Sequence, residues 1–158
     1  MIPVTCTKRL HFCAAHRLVG HDGLCAHLHG HNYAVDVTAE RYKTLGHVDK
    51  IGCVVDFSEL KKRIGSWINT NWDHTLILRD DDPLATSLSM VMCHSKSMLS
   101  RNEPRLFKLP ANPTAENMAL HLLNIVVPQC FGNIGTFGIT AITVWETDTC
   151  CATARLST

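Results

Sequence analysis

His29 and His31 flank Gly30, and His16 closes the upstream run Phe12-Cys13-Ala14-Ala15-His16. In an extended strand, residues two apart point to the same face. His29 and His31 can therefore present two imidazoles side by side while His16 arrives from a neighbouring strand. Three neutral imidazoles suit Zn²⁺ and leave a fourth position for water or a substrate oxygen, an arrangement that favours chemistry over bracing. Cys25, four residues before His29, is the thiol best placed to act beside such a metal. His27 shares the two-residue register and His11 and His21 lie nearby, so spacing by itself leaves the ligand set open.

Two further groups carry chemistry. In Trp72-Asp73-His74 the imidazole can serve as acid or base, and the aspartate can orient it or simply cap a turn. Glu146 ends the apolar run Ile139 to Trp145, where a carboxylate either serves a site or reaches solvent.

The elements that must position these groups follow from patterning. Two long antiparallel strands are expected, about Thr5 to Arg17 and His29 to Tyr42, joined by the loop containing His21-Asp22-Gly23-Leu24. In the second, His31, Tyr33, Val35 and Val37 share a face, so the metal ligands would continue a half-buried surface. A short strand from Ile51 to Val55 precedes Asp56, which can cap a helix marked by Leu60, Ile64, Trp67 and Ile68 and running to about Asn71; Gly65 weakens it without ending it. A second helix begins at Asp82-Pro83, with Leu84, Leu88, Val91, Met92 and Leu99 at helical spacing. Met90, Met92 and Met98 read as packing or a flap in preference to a binding surface.

After a β-prone Leu106 to Leu109, Asn112-Pro113-Thr114-Ala115-Glu116-Asn117 opens a helix with Met118, Leu122 and Ile125 on one face until Pro128. Two strands close the chain, about Ile139 to Glu146 and Cys150 to Ser157. The order predicts an α+β domain over residues 1–158, an antiparallel sheet with helices on one face, and a second face left for another subunit.

Composition narrows the function. The 158 residues suffice for one domain with a sizeable core. Fifteen Lys and Arg against fourteen Asp and Glu give a net charge of +1 with no basic run, which points to a small molecule and away from nucleic acid. No apolar run approaches the length of a membrane span and no signal segment opens the chain, so no membrane partner and a cytoplasmic location are expected. The eight cysteines include no Cys-x-x-Cys pair, and most read as small buried hydrophobes.

Six separated motifs occur together: Phe12 to His16, Cys25-x3-His29-Gly30-His31, Asp56-Phe57, Asp73-His74, Asn112 to Asn117, and Trp145-Glu146-Thr147. In this order the chain resembles the 6-pyruvoyltetrahydropterin synthase family along nearly its whole length. The resemblance implies His16, His29 and His31 as Zn²⁺ ligands, Cys25 as catalytic proton acceptor, and Asp73 and His74 as a proton relay with it. It implies Glu146 as pterin anchor and part of that relay, with Thr114 and Glu116 as further pterin contacts. It also implies the tunnelling fold (T-fold), a ββααββ unit whose trimers close sheets into a barrel, and a homohexamer made of two stacked trimers with sites at subunit interfaces.

The implied substrate is 7,8-dihydroneopterin triphosphate. Three residues separate Cys25 from His29, as in the carboxy-forming branch linked to 7-deazaguanine and queuosine synthesis; the pyruvoyl-forming branch has a longer spacer. The expected reaction is formation of 6-carboxytetrahydropterin with release of acetaldehyde and triphosphate. The alternatives are elimination of triphosphate alone, giving the pyruvoyl product, and a non-catalytic zinc- or pterin-binding oligomer.

Overall fold

The computed structural model describes residues 4–95 and 105–157. Met98 and Leu99 lie outside the described residues, as do the side chains of Val91 and Met92. The hairpin β1 (Thr5–His16) and β2 (His29–Arg41) pairs in register from Thr5↔Glu40 to His16↔His29. Its two-residue alternation sends Leu10, Phe12, Tyr33, Val35 and Val37 into the core. Gly30 lies opposite Ala15, and a Cβ there would stand 2.9 Å from the Ala14 carbonyl oxygen. Glycine between the two histidines is a requirement of packing.

The first helical segment runs as α1 (Phe57–Leu60), a wide turn over Lys61–Gly65 and α2 (Ser66–Asn71). Asp56 caps it by accepting from the Ser58 amide, and Leu60, Ile64, Ile68 and Trp72 bury its inner face. The expected strand from Ile51 to Val55 does not form. The Asp49 carboxylate accepts from the amides of Ile51 and Cys53, each at 2.9 Å, and Gly52 takes φ +89, so local side-chain bonds replace a sheet ladder. Val54 alone of that run is buried in the core.

β3 (Thr75–Arg79) and β4 (Leu106–Leu109) extend the sheet, with α3 (Pro83–Ser95) between them. α4 (Ala115–His121), a wide turn over Leu122–Val126 and α5 (Val127–Phe131) then lead into β5 (Phe137–Trp145) and β6 (Cys151–Arg155). The helical path continues past Pro128, which sits in the first turn after the wide segment. There the change of hydrogen-bond spacing accommodates a residue without an amide proton.

The strand order is β4-β3-β1-β2-β5-β6. The four strands β1, β2, β5 and β6 pair antiparallel as expected. β3 joins β1 in parallel, through Ala14↔Thr75 to His16↔Ile77, and β4 joins β3 in parallel, so the complete sheet is mixed. Helices pack on one sheet face, where Met118, Ala119, Leu122 and Val126 meet the buried strand residues. No helix among the described residues is long and apolar enough to cross a membrane.

Candidate active site

His16 and His29 stand opposite each other at the end of the β1–β2 hairpin, and His31 follows two residues along β2 on the same face. One ring nitrogen from each lies within 4.8 Å of the others, and the Nε2 atoms of His16 and His29 are 3.1 Å apart. The ring nitrogens behind them are engaged: His16 Nδ1 contacts the Pro113 carbonyl oxygen at 2.8 Å, and His29 Nδ1 contacts that of His27 at 2.7 Å. A carbonyl only accepts, so both Nδ1 atoms carry the proton and both Nε2 atoms present lone pairs to the shared space. Burial pushes the His16 imidazole toward its neutral form.

His31 Nε2 is buried without a hydrogen-bond partner. A buried orphan nitrogen beside two facing lone pairs is unfavourable for bare imidazoles, and it fits a metal ion bound by three neutral nitrogens. The carbonyl contacts behind His16 and His29 are the outer-shell bonds that orient such ligands. His27, the other histidine in register, contributes its backbone carbonyl and not its ring. His11 and His21 stand outside the cluster.

Glu146 reaches the same place from the end of β5. Its Oε1 lies 3.4 Å from His16 Nε2 and 3.6 Å from His31 Nε2. A three-strand clamp on the opposite sheet face holds this strand end. Arg9 pairs with both carboxylate oxygens of Asp36 at 2.7 and 2.6 Å, Asp36 accepts from the Trp145 indole at 2.9 Å, and the Arg9 guanidinium lies 5.1 Å from the Trp145 ring centroid. The Arg9 guanidinium keeps the Asp36 carboxyl below the usual carboxylate range.

Sequence reading missed Tyr33 as a site residue. It is buried, and its hydroxyl lies 3.3 Å from His16 Nδ1. Burial raises its phenol pKa strongly, and the nearby Glu146 and Cys25 side chains add to the shift. Both groups therefore lie within electrostatic reach of one buried ring. Cys25 itself occupies a single helical turn, Leu24–Ala26, and is partly buried.

Asp73 and His74 are brought to each other but not to the thiol. His74 Nδ1 lies 2.9 Å from Asp73 Oδ2, while Asp73 Oδ1 accepts from the Cys13 amide at 2.9 Å, which lowers the aspartate pKa. His74 takes φ +54 just after α2, and its amide donates to the Cys13 carbonyl at 2.7 Å. Its ring is largely exposed and borders a cavity of about 600 Å³ lined also by Cys13, Asn32 and Arg105. Among the described residues, no hydrogen bond or ion pair joins His74 to Cys25 or to the three histidines.

The Thr114 hydroxyl caps α4 by accepting from the Asn117 amide at 3.3 Å, and Glu116 is exposed in the first turn of that helix. Cys150 and Cys151 are both exposed beside the turn after Glu146.

An antiparallel run of four strands carrying helices on one face, with a three-imidazole centre on its first hairpin, defines a tunnelling-fold protein with a site suited to a metal. The chain belongs to the 6-pyruvoyl tetrahydropterin synthase family, which it matches over residues 5–157. It is 36% identical over 147 residues to the 6-carboxy-5,6,7,8-tetrahydropterin synthase of Rickettsia typhi, covering 93% of this chain and 96% of that one. With the synthase of the same name from Haemophilus influenzae it shares 30% over 145 residues, covering 90% and 92%. An uncharacterized protein from Wolinella succinogenes has the same fold, with a TM-score of 0.78 at 20% identity, covering 99% of this chain and 100% of the other. So does the Caenorhabditis elegans 6-pyruvoyl tetrahydropterin synthase, with a TM-score of 0.65 at 24% identity, covering 98% and 96%.

Proposed function

We propose that this chain is a zinc enzyme converting 7,8-dihydroneopterin triphosphate to 6-carboxy-5,6,7,8-tetrahydropterin, with release of acetaldehyde and triphosphate, in cytoplasmic 7-deazaguanine and queuosine synthesis. The observation that carries this reading is the convergence of His16, His29 and His31 within 4.8 Å, with the Glu146 carboxylate 3.4 Å from His16. The relatives named 6-carboxy-5,6,7,8-tetrahydropterin synthase, 36% identical over 93% of the chain, favour the carboxy product. The short Cys25–His29 spacer agrees with them.

Bound Zn²⁺ would supply Lewis acidity to a substrate side-chain oxygen, making the neighbouring C–H protons more acidic. Glu146 accepts from the ring N–H and amino groups of the pterin, a bidentate contact that sets the ring beside the metal ligands. The Cys25 thiolate takes a proton from the side-chain carbon. His74, oriented by Asp73, moves protons to and from the side-chain oxygens, and Thr114 and Glu116 line the approach of the pterin.

For His74 to serve a thiol it does not meet in its own chain, it must face the site of a second copy. The proposed homohexamer, two stacked trimers with interfacial sites, would provide that meeting. Two features support it. Among the described residues, the β1 backbone from Thr5 to Phe12 has a sheet partner on one side only, and Leu24, next to Cys25, is 84% exposed.

The deciding experiment is mass-spectrometric product analysis of zinc-loaded protein with 7,8-dihydroneopterin triphosphate, alongside an acetaldehyde assay. Carboxytetrahydropterin with acetaldehyde is the expected result. A pyruvoyl product would replace the carboxy assignment, and zinc binding without turnover would favour a non-catalytic oligomer.

A further inference from the structure

Two asparagines of the Asn112-Pro113-Thr114-Ala115-Glu116-Asn117 segment have no part in the reaction described above, yet both are committed to precise bonds. The Asn112 side chain pairs with the backbone of Val19 at both ends of its amide: Oδ1 accepts from the Val19 amide at 2.9 Å, and Nδ2 donates to the Val19 carbonyl at 2.9 Å. This is the two-point pattern of a strand pair, made by one side chain across 93 residues of sequence. Asn117 fixes Asn112 in turn, its Nδ2 donating to the Asn112 carbonyl at 2.9 Å.

Val19 belongs to the loop that carries Cys25. The adjacent Leu18 amide donates to the Cys25 carbonyl at 2.8 Å, so the grip on Val19 is passed to the backbone of the thiol residue through one further bond. The same segment reaches the metal centre from its next residue, since the Pro113 carbonyl accepts from His16 Nδ1 at 2.8 Å. Adjacent residues of one loop thus set a metal ligand and the loop bearing the thiol. Their rigid connection fixes the separation between the two.

We infer that Asn112 is a positioning residue, which holds Cys25 in register with the three-histidine centre through Val19 and Leu18. The inference rests on the reading of Cys25 as the proton acceptor. Because the Pro113 carbonyl is main chain, changing the Asn112 side chain should release the thiol loop while leaving His16 in place. A displacement on the order of 1 Å of a catalytic group costs about 100-fold in rate.

The test compares wild type with Asn112→Ala and Asn112→Asp, the second keeping the shape and one acceptor but losing the donor to the Val19 carbonyl. Zinc content, thermal melting, kcat and KM are measured, with amide hydrogen exchange followed along the chain. Both variants are expected to melt cooperatively, to keep zinc at the wild-type ratio, and to lose about 10- to 100-fold in kcat with KM within about threefold. Exchange should rise in the Leu18–Cys25 segment while β2 stays protected.

Unchanged kcat in a folded, zinc-loaded variant would overturn the inference. So would a kcat loss that follows zinc loss, which would route the effect through His16. Should the wild type itself not turn over, the functional reading falls, and exchange alone then decides whether Asn112 holds the loop: protection of Leu18–Cys25 unchanged in both variants would overturn the inference.

Discussion

The Nε2 atoms of His16 and His29 lie 3.1 Å apart, each with its proton held on the far nitrogen by a backbone carbonyl. Two lone pairs at this separation repel unless a cation or proton lies between them. Ligand nitrogens about 2.0–2.1 Å from a tetrahedral zinc stand about 3.4 Å from each other, close to what is seen. The protein should therefore bind one Zn²⁺ per chain, and His29→Ala should reduce that content at least tenfold. Zinc at 100 times its Kd should raise wild-type unfolding free energy by about 2.7 kcal/mol and that of the variant far less. Elemental analysis with denaturant titration checks both.

Cys25 sits apart from the three ligands and answers to a different readout. Cys25→Ala should keep zinc and assembly while kcat falls about 100- to 10,000-fold, the range for loss of positioned proton transfer. Single-turnover kinetics on the zinc-loaded variant measures it, and a wild-type rate would remove the thiol from the mechanism.

Glu146 is braced through Trp145 and Asp36 to Arg9, an arrangement that suits a carboxylate required to meet a ligand at a fixed angle. A charge-assisted contact contributes about 1.5–3 kcal/mol, so Glu146→Ala should weaken pterin binding by about 10- to 100-fold. Zinc content should stay near wild type. Calorimetric titration with a pterin gives the affinity, and an unaltered value would dismiss Glu146 as the anchor.

The Cys25 loop begins at Arg17, whose guanidinium grips the fully buried Asp82 side chain, with Nε donating at 2.8 Å. That hydrogen bond is the chief reason the Asp82 carboxyl titrates below its ordinary value. A carboxyl with a folded pKa below its unfolded one adds stability that is complete above the unfolded value, near 3.8, and is lost as pH falls through the folded value. Wild-type stability should thus drop on acidification below about pH 4, and Asp82→Asn should flatten that part of the profile while lowering stability at neutral pH. Urea denaturation between pH 2.5 and 7 would show a parallel profile for the two proteins if the pair were uncoupled from folding.

Much of the framework was legible from local chemistry. The two-residue alternation of β1 and β2 placed His29, His31, Tyr33 and Val35 on one face, while the cap residues Asp56 and Asp82 and the run Asn112 to Asn117 marked three helix starts. These signals act over a few residues, so they survive in sequence. The run Ile51 to Val55 misled because its apolar residues suit a strand while Asp49, outside the run, captures its amides. β3 was not anticipated, since its five residues have no alternation and its place follows from a short parallel contact with β1.

The residue types and spacings by themselves determined the hairpin, the glycine between two histidines and the pairing of His29 with His31 on one face, because backbone geometry alone dictates which neighbours share a face. Tertiary structure decided the rest. It brought the Pro113 carbonyl to His16 across 97 residues, excluded the in-register His27 ring, set Glu146 against two of the ligands, and turned His74 toward the cavity it shares with Cys13 and Asn32. Such contacts depend on how the layers pack and how the sheet orders its strands, and no local pattern encodes a meeting between groups so far apart in the chain.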